Sequence, residues 1–166
     1  MPDWITHLLA AWILCTILSF KYKEINPAYT VVCMAGALIP DLFKITIPLG
    51  FMGIKVENFL MPVHLPIGSL IIAGIFTLFF KEKKKLVLSL LVLGVATHYT
   101  LDLLLINLNG GMVMLFPLSW NSWTLNIIPD DDLNITILTV GLAMVVYFVS
   151  VWFKKRINVN KTLTTK

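Results

Sequence analysis

Long apolar stretches alternate along this chain with short polar ones that hold nearly all of its charge. The apolar runs are Ile5–Phe20, Ala28–Phe43, Val63–Phe80, Leu86–Ile106 and Ile135–Phe153. A helix that crosses a bilayer needs about 20 such residues. The last three runs reach that length or nearly so, and the first two reach it with flanking residues or where the bilayer is locally thin. Lipid cannot satisfy an open backbone, so runs of this kind are expected as helices. The pattern therefore predicts an all-α polytopic membrane protein, a bundle of about five transmembrane helices. It forms one helical membrane domain over residues 1–153, followed by a basic tail over 154–166.

Composition agrees. The chain has 166 residues, 58% of them hydrophobic and 13% charged, with a mean hydropathy of +0.86. Soluble domains carry about 25% charged residues. Met1-Pro2-Asp3-Trp4 lacks a basic leader region and no Ala-x-Ala site follows Phe20, so the first run reads as retained in the membrane. Cys15 and Cys33 both fall in apolar runs and read as packing residues. The basic residues sit at helix ends and form no stripe with aromatics, which argues against a nucleic-acid partner.

Charge orders the connections. Five crossings put Lys21, Lys23, Lys81, Lys83, Lys84, Lys85, Lys154, Lys155, Arg156, Lys161 and Lys166 on one side, eleven of the 13 basic residues. Only Lys44 and Lys55 lie on the other. Positive-inside logic makes the basic side cytoplasmic, with the N-terminus outside and the C-terminus inside the cell membrane. The connection from Lys44 to Pro62 is partly apolar and reads as a re-entrant or interfacial segment. The longest connection runs from Asn107 to Asn134.

This topology makes a test of the polar residues at membrane depth. His7 and His64 open the first and third runs at their outer ends. Asp41 closes the second run at its outer end. His98 and Asp102 lie in the outer half of the fourth, four residues apart and so on one helical face. All three histidines and two carboxylates thus arrive at one level from four runs, although the charge count made no use of them. Ionisable groups inside a membrane are costly and usually functional. Three imidazoles and two carboxylates suit zinc first, then iron or manganese. Taken singly, each reads as an interfacial or capping residue; together they point to a shared metal. Thr97 reads as a residue that satisfies its own helix or stands behind the ligands. The tryptophans read as interface anchors, and Asp130-Asp131-Asp132 as a solvated loop or helix cap with room for a divalent ion.

At these residues the chain resembles the YdjM-like membrane-bound metal-dependent hydrolases. The resemblance runs from Met1-Pro2-Asp3-Trp4-Ile5-Thr6-His7 through Gly36-Ala37-Leu38-Ile39-Pro40-Asp41 and Val63-His64-Leu65-Pro66-Ile67-Gly68-Ser69. It continues through Thr97-His98-Tyr99-Thr100-Leu101-Asp102 to Leu115-Phe116-Pro117-Leu118-Ser119-Trp120. It implies that His7, Asp41, His64, His98 and Asp102 are metal ligands. It also implies a distant kinship with zinc-dependent phospholipases C and single-strand nucleases, which hold metals through His and Asp side chains on helices. Many relatives carry a further polar residue beside the histidine that corresponds to His64, where this chain has Val63 and Leu65. Five ligands suffice for one zinc or a lean pair.

The expectation is a metal-dependent hydrolase at the outer membrane interface, acting on a phosphoester or phosphodiester of a lipid or lipid-linked substrate. Asp41 or Asp102, where not a ligand, would be the general base, and Lys44 would hold a phosphate as a point charge. Two rivals stand beside it: a proton, ion or metal transporter that uses the membrane-embedded His and Asp residues, and a non-catalytic subunit with a structural metal.

Overall fold

The computed structural model describes residues 4–104, 111–128 and 132–164. Met1 to Asp3, the end of the fourth apolar run at Ile106, and Asp130 and Asp131 lie outside the described residues. All regular elements described are helical: α1 (Trp4–Lys21), α2 (Pro27–Leu38), α3 (Thr46–Phe51), α4 (Glu57–Leu60), α5 (Pro66–Leu78), α6 (Lys84–Leu104) and α7 (Asp132–Thr164). Two 3-10 turns, Pro40–Ile45 and Met61–His64, join them.

Among the described residues, three helices are long and apolar enough to cross a membrane: α1, α6 and the Leu133–Arg156 part of α7. A fourth crossing arises if α2 and the segment Pro40–Phe51 count as one span, bent by 57°. The bend corrects the expectation of a single helix over Ala28–Phe43. Pro40 has no N–H to continue the ladder, and the chain tightens into a 3-10 turn that holds Asp41. The third run also starts later than expected. α5 begins at Pro66, and His64 closes the preceding 3-10 turn. At 13 residues α5 is about 20 Å long, less than the ~30 Å hydrocarbon core. The last helix continues past Phe153 to Thr164, through the expected tail.

Local signals explain the starts. Asn26 caps α2, its side chain accepting the Tyr29 N–H at 3.0 Å, and Pro27 occupies the first helical position, where a missing N–H costs nothing. The centre of the bundle is α6, with 44% of its spanning window buried against 11% for the last helix. Its tightest partner is α2. A Cβ on Gly36 would strike the Leu91 backbone, and one on Gly94 would strike the Cys33 carbonyl and the Ala37 nitrogen. Two glycines facing each other's backbones allow the close approach that small residues give membrane helices. Around this seam lie Ala11, Cys15, Cys33, Ala37 and Leu90 on one side and Ala73, Val87, Leu91, Val95 and Tyr99 on the other.

The segment after α6 folds back over it. Met112 and Trp123 exchange backbone hydrogen bonds of 2.9 and 2.8 Å. The N–H groups of Leu125 and Ile127 reach the carbonyls of Leu103 and Leu104, satisfying the end of α6. Met112 is buried against the α6 cluster, so this connection forms one wall of the site.

Candidate metal centre

The glycine seam determines how the central histidine is presented. Because α2 and α6 nearly touch, the Ala37 carbonyl lies 2.8 Å from His98 Nδ1. A carbonyl only accepts, so Nδ1 must carry a proton, and in the corresponding neutral tautomer the lone pair lies on Nε2. His64 is held the same way, with Nδ1 3.0 Å from the Pro40 carbonyl. Metal-binding histidines are typically oriented by such a bond from the other ring nitrogen.

Four segments converge at the two Nε2 atoms. His98 Nε2 lies 3.2 Å from Asp102 Oδ2 on its own helix and 3.9 Å from Asp41 Oδ1 in the 3-10 turn after α2. His7, from α1, brings Nε2 to 3.5 Å from Asp102 Oδ1 and stacks its ring on His98, centroids 3.8 Å apart. Two groups of ligand atoms result, His7–His98–Asp102 and Asp41–His64–His98, each compact enough to hold a metal ion. His98 belongs to both. All five ligands expected from the sequence therefore come together, although His64 and Asp41 arrive on 3-10 turns and not on long helices.

The site lacks what a self-contained polar cluster needs. His98 is fully buried, and His7, Asp41 and Asp102 are 1%, 3% and 4% exposed, so bulk water does not serve them. Both nitrogens of His7, Nε2 of His64 and His98, and both oxygens of Asp102 have no hydrogen-bond partner. A buried polar atom left alone costs about 1–3 kcal/mol. Charging both stacked rings at once would be costly, because two imidazolium charges 3.8 Å apart repel by about 4 kcal/mol at an effective dielectric of 20. A small dication fits. Ligand atoms around a tetrahedral ion with bonds of ~2.1 Å sit about 3.4 Å apart, close to the 3.2 and 3.5 Å separations here.

Lys44 does not stand free beside this group. Its Nζ bonds Asp41 Oδ2 at 2.7 Å, which leaves Oδ1 turned toward His98. Asp41, Lys44 and His64 also line a cavity of about 480 Å³. A smaller one of about 210 Å³ approaches Asp41 and Lys44 from the side of Trp4 and Pro48. Thr97 bonds the Gly94 carbonyl at 2.6 Å and so satisfies its own helix. Ser69, which reads in the sequence as a residue that satisfies backbone or packs, bonds the Val63 carbonyl at 2.7 Å, but its pairing with Tyr99 and the wall residues of the cavity went unread. Tyr99 and Ser69 form a bonded pair beside the site, which the adjacency to His98 hinted at. Met112 and Val113 wall the cavity, and nothing in their local pattern signals it.

A helical, multi-pass cell-membrane protein with a buried His/Asp group able to hold a metal ion is the class these features define. The chain belongs to the YdjM inner membrane protein family, which it matches over residues 1–163. No curated protein and no solved structure matches it.

Proposed function

We propose that this protein is a metal-dependent hydrolase that acts at the outer membrane–water interface on a phosphoester or phosphodiester of a lipid or lipid-linked molecule. The observation that carries the reading is the oriented, unpartnered Nε2 of His98, shared by two ligand groups, one of which opens on a cavity. His7, His98 and Asp102 would hold an ion, or Asp41, His64 and His98 would, since the one free lone pair of His98 Nε2 serves a single ion at a time; zinc is the preferred metal for this donor set. When bound, a divalent cation supplies Lewis-acid polarisation and activation of water at neutral pH.

The protein's own groups do the rest. The Ala37 and Pro40 carbonyls keep two imidazoles in the tautomer that presents Nε2. Lys44 holds Asp41 in place and offers a positive charge to an anionic group at the cavity end. Asp41, when not engaged as a ligand, accepts the proton of attacking water. The eleven basic residues that the order of the apolar runs assigns to one side support a topology with the site in the outer leaflet, the N-terminus outside and the region after residue 153 in the cytoplasm. A transport path would continue polar toward that basic end, whereas the buried face of α6 there is Val87, Leu90 and Leu91. A structural metal site is closed, and this one borders a cavity.

The test is metal analysis of purified protein together with a panel of phospholipids and lipid phosphates assayed with and without chelator. Stoichiometric zinc and chelator-sensitive release of a headgroup or phosphate are expected. Metal-free protein at every purification condition would sink the reading.

A further inference from the structure

The cavity beside Asp41 is divided by chemistry. Its polar end is Asp41, Lys44 and His64. The remainder is apolar, with Ile47, Met61, Leu65, Met112 and Val113 among the wall residues. A volume of about 480 Å³ lies within the ~300–1,000 Å³ range of small-molecule pockets. A pocket for a small hydrophilic ester would not need an apolar chamber of this size behind its charged end.

The rim points the same way. Ile45, Ile47, Phe51, Met52, Ile54 and Met61, on the short helices and turns that carry Asp41 and His64, are all exposed, Phe51 at 89%. Exposed apolar side chains so concentrated on one segment mark contact with hydrocarbon. Ile47 and Met61 are both exposed and line the cavity, so its apolar wall is continuous with this rim. At the far end, the Lys44 ammonium bonds one oxygen of Asp41 and keeps part of its surface exposed.

We infer that this cavity is the seat of one hydrocarbon chain of an anionic amphiphile, with the chain against Ile47, Met61, Leu65, Met112 and Val113 and the negative headgroup at Lys44 beside the ligand cluster. The inference deepens the hydrolase reading and rests on it only for the headgroup's being a phosphoester. It makes the alkyl chain, and not the headgroup alone, the determinant of affinity. It also makes the Lys44–Asp41 pair the boundary at which the substrate changes from apolar to charged.

The probes are dodecyl phosphate, inorganic phosphate, dodecanol and dodecyltrimethylammonium, offered to the full chain and followed by native mass spectrometry. Wild type is expected to retain dodecyl phosphate at least tenfold better than any of the other three. Ile47→Trp fills the chamber from a position that is 60% exposed, so it leaves the fold intact. It is expected to lose that preference, and Lys44→Gln to reduce dodecyl phosphate to the level of dodecanol. Retention unchanged by Ile47→Trp, or equal retention of the cationic amphiphile, overturns the inference. A second arm compares cleavage, by the zinc-loaded protein, of two phosphodiesters that share a leaving group and carry an ethyl or a dodecyl group on the other ester oxygen. Binding with the expected pattern but no cleavage of either ester leaves the cavity assignment standing and removes the hydrolase reading. Equal cleavage of both does the reverse.

Discussion

His98 and Tyr99 are neighbours on α6, equally buried, and their surroundings are opposites. Tyr99 lies 2.7 Å from Ser69, whose hydroxyl in turn donates to the Val63 carbonyl at 2.7 Å. The Ser69 proton is committed to that carbonyl, so the phenol donates to Ser69 and each donor is used. Around His98 the bonds stop at the Ala37 carbonyl, and Nε2 lies 3.2 Å from Asp102 Oδ2 with no hydrogen bond formed between them. Both clusters rest on the same seam and both touch His64, whose ring centroid is 5.9 Å from His98 and 6.4 Å from Tyr99. The contrast separates two uses of buried polarity in one layer of the bundle. The tyrosine network is complete in the protein and ties α5 and its preceding turn to α6. The histidine cluster leaves buried polar atoms without a protein partner and could hold a metal ion.

The harshest way to break the comparison is to remove the frame that both clusters share. Gly94→Leu forces a side chain into the Cys33 carbonyl and the Ala37 backbone, which cannot rotate away as a side chain could. The expected cost is at or beyond the top of the roughly 1–3 kcal/mol range for overpacking, seen as loss of monodisperse protein in detergent and of bound metal together. Chelation attacks only one side. With metal at a hundredfold over its dissociation constant, removal costs about 2.7 kcal/mol, a fall of roughly 5–10 °C in melting temperature for a chain of this length. The fall should be the same size in Tyr99→Phe. A chelator-insensitive melt would mean that the histidine cluster is as self-sufficient as its neighbour.

Substitutions sharpen the contrast further. His98→Ala should abolish all bound metal by elemental analysis, because both ligand groups use His98, whereas His7→Ala and His64→Ala should each retain part of it. Asp102→Asn should change sign with the metal: destabilising by about 1–3 kcal/mol in the loaded protein, and neutral or stabilising after chelation, when the new amide N–H can meet an imidazole lone pair. Paired melts with and without chelator read this directly. The smallest effect is expected from Tyr99→Phe, about 1 kcal/mol of stability with metal content unchanged.

Much of the site was legible in the chain. Charge sorting and hydrophobic runs placed His7, Asp41, His64, His98 and Asp102 at one level, and those five residues do meet. Legibility failed where the backbone leaves regular geometry. Reading Ala28–Phe43 as one helix missed the turn at Pro40, and reading Val63–Phe80 as one missed the turn that ends at His64. An apolar run has the same composition whether it continues straight or bends by 57°. The partner of Lys44 was missed as well: a charge one turn past Asp41 suggested a phosphate site, and the side chain first meets the aspartate.

The amino-acid sequence by itself determined that this is a helical membrane protein and which ionisable residues it commits to the membrane, because hydrophobic length and charge are properties of local segments. Only the tertiary structure decided that His98 is shared, that its Nδ1 is occupied by the Ala37 carbonyl, and that an apolar cavity walled by Met112 adjoins the ligands. Those facts depend on how closely α2 and α6 approach and on where a distant connection folds back. Backbone contact between segments far apart in the chain sets both, and no local pattern of residues encodes it.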